Sequence, residues 1–230
     1  VPSRRTRDPE DVDIKWEIDA FSLELPLMAS AMDGVVSPQT AIEIGRLGGV
    51  GVLNLEGLWT RYEDPMNLLK EISQLDAEHA TRRMQEIYLE PVKLELITER
   101  IQEINAAGVI SCASVTPQRT ELFSSHLLES ELDLLVIQGT VVTAEHVSKT
   151  KETLNLKTFV RDFPIPTIVG GCASYEAALH LMRTGAAGVL VGVGPGHACT
   201  TRGVLGICLL YTSDAAEEGL GVDVGGRRII

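Results

Sequence analysis

Six short runs rich in apolar and β-branched residues punctuate the chain, at positions 27–32, 50–53, 109–113, 134–137, 167–169 and 188–191. Each is hydrophobic throughout and does not alternate with polar residues. That is the pattern of a strand covered on both faces, as in a parallel sheet. Helical patterns lie between them. Ser37 and Pro38 cap one in which Ala41, Ile42, Ile44 and Leu47 recur at helical spacing, and Gly48 with Gly49 stops it. Ser174 caps another, with Ala177, Ala178, Leu181 and Met182 on one face and Gly185 at its end. Strand alternating with helix argues for an α/β fold with parallel strands, either a barrel or a doubly wound sheet.

The stretch from Asp64 to Gly108 departs from this rhythm. It is long, charged and helical in pattern, with Leu94, Ile97, Ile101 and Ile104 on one face and no strand signal inside it. Two or three helices are expected there, with Pro91 separating two of them. Glu71, Asp76, Glu78, Glu86 and Glu90 are spread along these helices and interleaved with Arg82 and Arg83, which reads as a solvated face and not as a metal site. His79, His126, His146 and His180 have no paired spacing, and Trp16 and Trp59 are too isolated to form a stacking platform for bases. The net charge of −12 excludes nucleic acid as a partner, because phosphate binding needs a basic face. No apolar run approaches the roughly eighteen residues of a membrane span. Each of the four cysteines, Cys112, Cys172, Cys199 and Cys208, lies in or beside an apolar stretch, which fits reduced thiols in a cytoplasmic protein.

In parallel α/β folds chemistry collects where strands end, so the loops after the six runs are the places to search. The richest follows the sixth: Gly192, Gly194 and Gly196 permit tight turns, and Cys199 stands among hydroxyls at Thr200 and Thr201, with Arg202 beyond. A thiol on a polar loop serves as a nucleophile once something deprotonates it. The alternative is a structural cysteine in a Gly-rich turn, which the density of glycine and hydroxyl residues here disfavours.

Residues 193–202 (VGPGHACTTR) resemble the catalytic cysteine loop of the IMP dehydrogenase/GMP reductase family. Two further stretches agree in order and spacing. Residues 29–33 (ASAMD) are similar to that family's first-strand Ser-x-Met-Asp, and residues 47–53 (LGGVGVL) to its Gly-Gly-x-Gly second strand. The resemblance runs from Val1 to about Ile207. It implies a (β/α)8 TIM barrel, present here only through about six β/α units. It also implies that Cys199 attacks C2 of a purine nucleotide while a hydride moves to or from NAD or NADP, with Thr201 beside the adduct. By the same resemblance Ser30, Met32, Gly196 and His197 contact the nucleotide, and Gln138, Gly170, Gly171 and Cys172 line the cofactor. The backbone carbonyls of Gly194, Gly196 and Cys199 form a monovalent-cation site, usually K⁺. The family further implies a homotetramer.

Three positions depart from the family pattern. His197 stands where a phosphate-binding Ser is usual, Gln138 where an Asp often holds the cofactor ribose, and Cys172 where an Asn follows the paired glycines. The connection from Glu56 to Gly108 is too short for the tandem CBS module of many dehydrogenases. These features resemble the family branch that lacks CBS domains. IMP oxidation is the expected activity, with GMP reduction or non-catalytic nucleotide binding as alternatives. Residues 1–207 are expected to be a partial barrel and 208–230 to be a foreign, adapter-like tail. The chain starts at Val1 and not at Met, so it is expected to come from a longer protein. The resemblance further implies, beyond the cysteine loop, a flap with the catalytic base and two phosphate-holding strands that this sequence lacks, so residues 1–230 are expected to be inactive alone.

Overall fold

The computed structural model describes residues 8–139, 142–144 and 154–192. A short antiparallel hairpin comes first, β1 (Trp16–Ile18) and β2 (Phe21–Leu23), with Trp16 opposite Leu23 and Ile18 opposite Phe21. Asp19 makes its turn at a φ of 50°. Two three-residue strands carry too little pattern to be read from the sequence, and none was expected there.

The remaining strands are β3 (Met28–Ala29), β4 (Val50–Asn54), β5 (Cys112–Val115), β6 (Leu134–Gln138), β7 (Thr167–Cys172) and β8 (Gly188–Val191). They correspond one for one to the six apolar runs. Every neighbouring pair is parallel, and the spatial order β3-β4-β5-β6-β7-β8 is the order in the chain. A doubly wound sheet reverses its strand order near the middle; a barrel does not. Sequential order therefore selects the barrel, and the described residues supply six of its units, with β3 and β8 at the two edges.

The helices are α1 (Pro38–Arg46), α2 (Met66–Ser73), α3 (Ala77–Ile87), α4 (Leu94–Ala106), α5 (Thr120–Glu129), α6 (Leu156–Asp162) and α7 (Tyr175–Met182). The Ser37 cap forms as expected: its hydroxyl accepts from Thr40 N at 3.0 Å, while Ser37 N donates to Thr40 Oγ1 at 2.6 Å. Gly48, at φ 91°, lets Gly49 N turn back to Ile44 O at 3.0 Å and ends α1. Ser174 caps α7 through Ala177 N at 3.2 Å. The connection after β4 holds three helices, and Pro91 falls between α3 and α4. Its acidic residues are a solvated face. Arg83 pairs with Glu71 at 2.7 Å and Glu86 at 3.1 Å, and Asp76 caps α3 while holding His79 at 2.7 Å. Among the described residues no group of acidic, His or Cys side chains is arranged to hold a metal. No described helix is long and apolar enough to cross a membrane.

Two strands differ from expectation in extent. The run 27–32 pairs only over Met28–Ala29, because Ser30 already begins a turn in which Met32 N bonds Ser30 O at 2.8 Å. The run 109–113 pairs from Cys112 onward, since Ser111 is diverted to Asp133 through its N–H (2.9 Å) and its hydroxyl (3.1 Å).

Alternation along each strand sorts side chains into two layers. Leu53, Ala113, Val115, Leu135, Ile137, Val169 and Val189 face the helices and pack with Ile97, Ile101, Ile104, Phe123 and Leu127. Val50, Val52, Cys112, Leu134, Val136 and Ile168 face the other way, into the barrel interior, where they meet Trp16, Ile18 and Leu23 of the hairpin. Burying each Val, Leu, Ile or Phe side chain among them contributes about 1.5–3 kcal/mol.

Candidate active site at the carboxyl ends of the strands

The hairpin decides which end of the barrel is open. Trp16, Ile18 and Leu23 are buried together with Val50, Cys112 and Leu134, which stand at or near the amino ends of β4, β5 and β6. That end is filled with apolar side chains. Toward the other end the interior changes character. Continuing the inward series, β4 reads Val50, Val52, Asn54; β5 reads Cys112, Ser114; β6 reads Leu134, Val136, Gln138. Three strands thus finish their inward rows on polar side chains. Asn54 is already engaged, its Oδ1 accepting Glu56 N at 3.0 Å and its Nδ2 donating to Asp33 Oδ1 at 3.5 Å, whereas Ser114 and Gln138, unpaired among the described residues, are free to meet a ligand.

Ser114 is 6% exposed, and its hydroxyl makes no hydrogen bond to the described residues. Gln138 is exposed and its amide is likewise unpaired among them. Glu56, beyond the end of β4, accepts Thr116 N at 2.6 Å and so ties the β4 and β5 loops together. Ser30 and Met32 are exposed just past β3, on this same polar end. Asn54 and Ser114 were not found from the sequence. Their signal is the alternation itself, and it becomes readable only once the inward face of each strand is known.

The Gly170–Gly171 peptide is cis. Its polar groups are already engaged: Gly139 N donates to Gly170 O at 2.8 Å, and Gly171 N to Gly139 O at 3.0 Å. A Cβ on Gly170 would lie 2.5 Å from Leu190 Cβ, so β7 and β8 approach there only because the residue has no side chain. Cys172 turns toward the helices, 1% exposed in the outer core, with its Sγ 3.5 Å from Leu190 O. Of the residues assigned to the cofactor, Gln138 alone offers an exposed side chain. Gly192, at φ 95°, bonds Cys172 O through its N–H at 2.7 Å and carries the chain off the carboxyl end of β8. Gly194, Gly196, His197, Cys199 and Thr201 follow and lie outside the described residues.

Burial pushes the Cys172 thiol above its usual range, and burial with the nearby Asp133 carboxylate does the same to Cys112. Neither is a thiolate near neutral pH, and thiolate character with access sets reactivity. Brief iodoacetamide treatment of the native protein is expected to leave Cys112 and Cys172 unmodified, as read by peptide mass. Rapid labelling of either would contradict the packing described here.

Ser30, Asn54, Ser114 and Gln138 thus stand at the carboxyl ends of neighbouring strands, the end where barrel enzymes carry their sites. The family model for the IMP dehydrogenase / GMP reductase domain matches residues 1–215, and the chain belongs to that family. An uncharacterized oxidoreductase of Mycobacterium tuberculosis H37Rv is 43% identical over 240 residues, covering 100% of this chain and 64% of the relative. One from Mycobacterium leprae is 45% identical over 223 residues, covering 94% and 60%. The inosine-5'-monophosphate dehydrogenase of Borreliella burgdorferi is 26% identical over 229 residues, covering 90% and 54%. The crystal structure of an IMP dehydrogenase/GMP reductase-like protein from Corynebacterium glutamicum superposes with a TM-score of 0.83 at 38% identity, covering 100% of this chain and 62% of that one. The chain thus spans less than two thirds of the length of each of these relatives.

Proposed function

We propose that the protein oxidises IMP to XMP as a nicotinamide-dependent oxidoreductase, with Cys199 as the nucleophile. One observation carries this reading. Gly192, seven residues before Cys199, leaves β8 at the same end where Ser30 and Met32 are exposed and where the inward rows turn polar at Asn54, Ser114 and Gln138. Cys199 adds as a thiolate to C2 of the purine and, once the C2 hydride has left, remains joined to it as a thioimidate. Water then adds at C2 and expels the thiol, giving XMP and free Cys199. Thr201 stands two residues away to orient that water. Ser30, Met32, Gly196 and His197 hold the nucleotide. Carbonyls of Gly194, Gly196 and Cys199 are the candidate ligands of a K⁺ ion that shapes the loop.

The β6–β7 end suits a nicotinamide cofactor. Its one free group among the described residues is the exposed amide of Gln138 at the carboxyl end of β6. When bound, the cofactor accepts or supplies the hydride. Gln138 also favours a second reading. A carboxylate here would repel a 2′-phosphate, whereas a neutral amide does not, so GMP reduction with NADPH fits the same site. In that direction the thiolate displaces ammonia from C2, and hydride addition releases IMP.

The test is turnover by the full-length protein, followed by nicotinamide absorbance, with IMP and NAD⁺ in one series and GMP and NADPH in the other. Steady formation of NADH with IMP is expected. Activity in the second series alone establishes the reductase reading. Silence in both, with nucleotide still bound, overturns the enzyme assignment.

A further inference from the structure

The turn that presents Ser30 and Met32 is held from outside the barrel. Val35 N and Val36 N both bond Met32 O at 2.9 Å, which closes the turn on itself. Asp33 then fastens it to its surroundings. Its Oδ2 accepts Leu58 N at 2.9 Å and the Tyr88 hydroxyl, its Oδ1 faces Asn54 Nδ2 at 3.5 Å, and its carbonyl accepts Trp59 Nε1 at 3.4 Å. Gly57 makes room for this: a Cβ there would lie 1.9 Å from Asp33 Oδ1. Tyr88 closes the carboxyl end of α3, far along the chain in the helical connection. That end is itself clamped. The Arg61 guanidinium lies 5.5 Å from the centre of the Tyr88 ring and donates to Glu56 O and Glu90 O, and Tyr62 donates to Ile87 O at 2.9 Å. Burial and the Asp33 carboxylate both raise the phenol's pKa, so the hydroxyl keeps its proton and acts as a donor at neutral pH.

We propose that Tyr88 is a positioning residue for nucleotide binding: through Asp33 it sets the turn that carries Ser30 and Met32, so the helical connection fixes one wall of the substrate site. The proposal rests on the purine-nucleotide reading above. It gives the connection a task that neither the barrel nor the nucleophile explains.

Tyr88→Phe removes the O–H and keeps the ring over Arg61; Gly57→Ala strikes the same contact from the opposite side. In the full-length protein each is expected to raise the KM for nucleotide about tenfold, the size of a lost hydrogen bond to a charged acceptor. In Tyr88→Phe kcat and Tm should stay near wild type; Gly57→Ala, whose Cβ would strike the Asp33 carboxylate, is expected to lower Tm as well. Amide exchange at Leu58, Val35 and Val36 should speed up in both, a local loosening visible without any substrate. Wild-type turnover with an unchanged KM in Tyr88→Phe sinks this proposal alone. In that variant an equal fall in kcat and Tm also sinks it, because it marks a merely structural contact. A wild-type protein that neither binds nor turns over purine nucleotide sinks the functional reading and this one with it, and the exchange data then report only an architectural clamp.

Discussion

Trp16→Ala is expected to destabilise the protein by about 3–5 kcal/mol, measured by urea unfolding of the full-length chain. Trp16 is 4% exposed, and with Ile18 and Leu23 it fills the interior between Val50, Cys112, Leu134, Val136 and Ile168. The hairpin it belongs to has three paired positions, too few to stand alone in water, so it is ordered by packing against the barrel and not the reverse. Removing the indole leaves a cavity at the amino end and takes away the largest contact that holds the hairpin in place. Two results are distinguishable. If the hairpin stays docked over a cavity, the midpoint falls at constant m; if it detaches, m falls too, because less surface remains to be exposed on unfolding. A loss below about 1 kcal/mol would mean the hairpin does not close that end, so the amino end would be as open to a ligand as the carboxyl end.

What could be read beforehand, and what could not, follows from how far each signal reaches along the chain. The six strands announced themselves because both faces of a barrel strand are covered, which removes the ambiguity of a half-polar run. Ser37, Gly48, Ser174 and Pro91 were legible because caps and breakers act on neighbours within a turn of helix. The strand ends at Ala29 and Cys112 were not legible, since Ser30 turns away and Ser111 is drawn to Asp133, a partner in a later segment. Periodicity left the barrel and the doubly wound sheet open; the motif resemblance implied the barrel, and the sequential strand order bears it out. For the candidate site, motif alone nominates Ser30, Met32 and the Cys199 loop, whereas Asn54 and Ser114 needed the inward parity of β4 and β5. Gly57 and Tyr88 were invisible for the same reason as Ser111: their significance is a contact with Asp33 made across the fold.

Cys199→Ala is expected to lower kcat with IMP and NAD⁺ by at least about a thousandfold while nucleotide affinity stays within about threefold of wild type. On the proposed mechanism the thiolate provides a covalent hold on C2 that lets the hydride depart first and water attack afterwards. Without it, water would have to add to the purine ring unaided, and binding energy from the nucleotide contacts would do nothing for that step, since it stabilises ground state and transition state alike. A 6-chloropurine nucleotide makes the same point without turnover. Its chloride is a leaving group that a thiolate held against the purine ring can displace, so loss of chloride with bond formation should add the nucleotide mass less HCl at Cys199 in wild type and none in the variant. Cys112 and Cys172 provide an internal control, because burial keeps both thiols protonated and out of reach. Activity within tenfold of wild type would show that Cys199 is not the nucleophile. Loss of binding together with activity, in a protein that still melts like wild type, would make the loop a nucleotide clamp and shift the chemistry to another group on the carboxyl face.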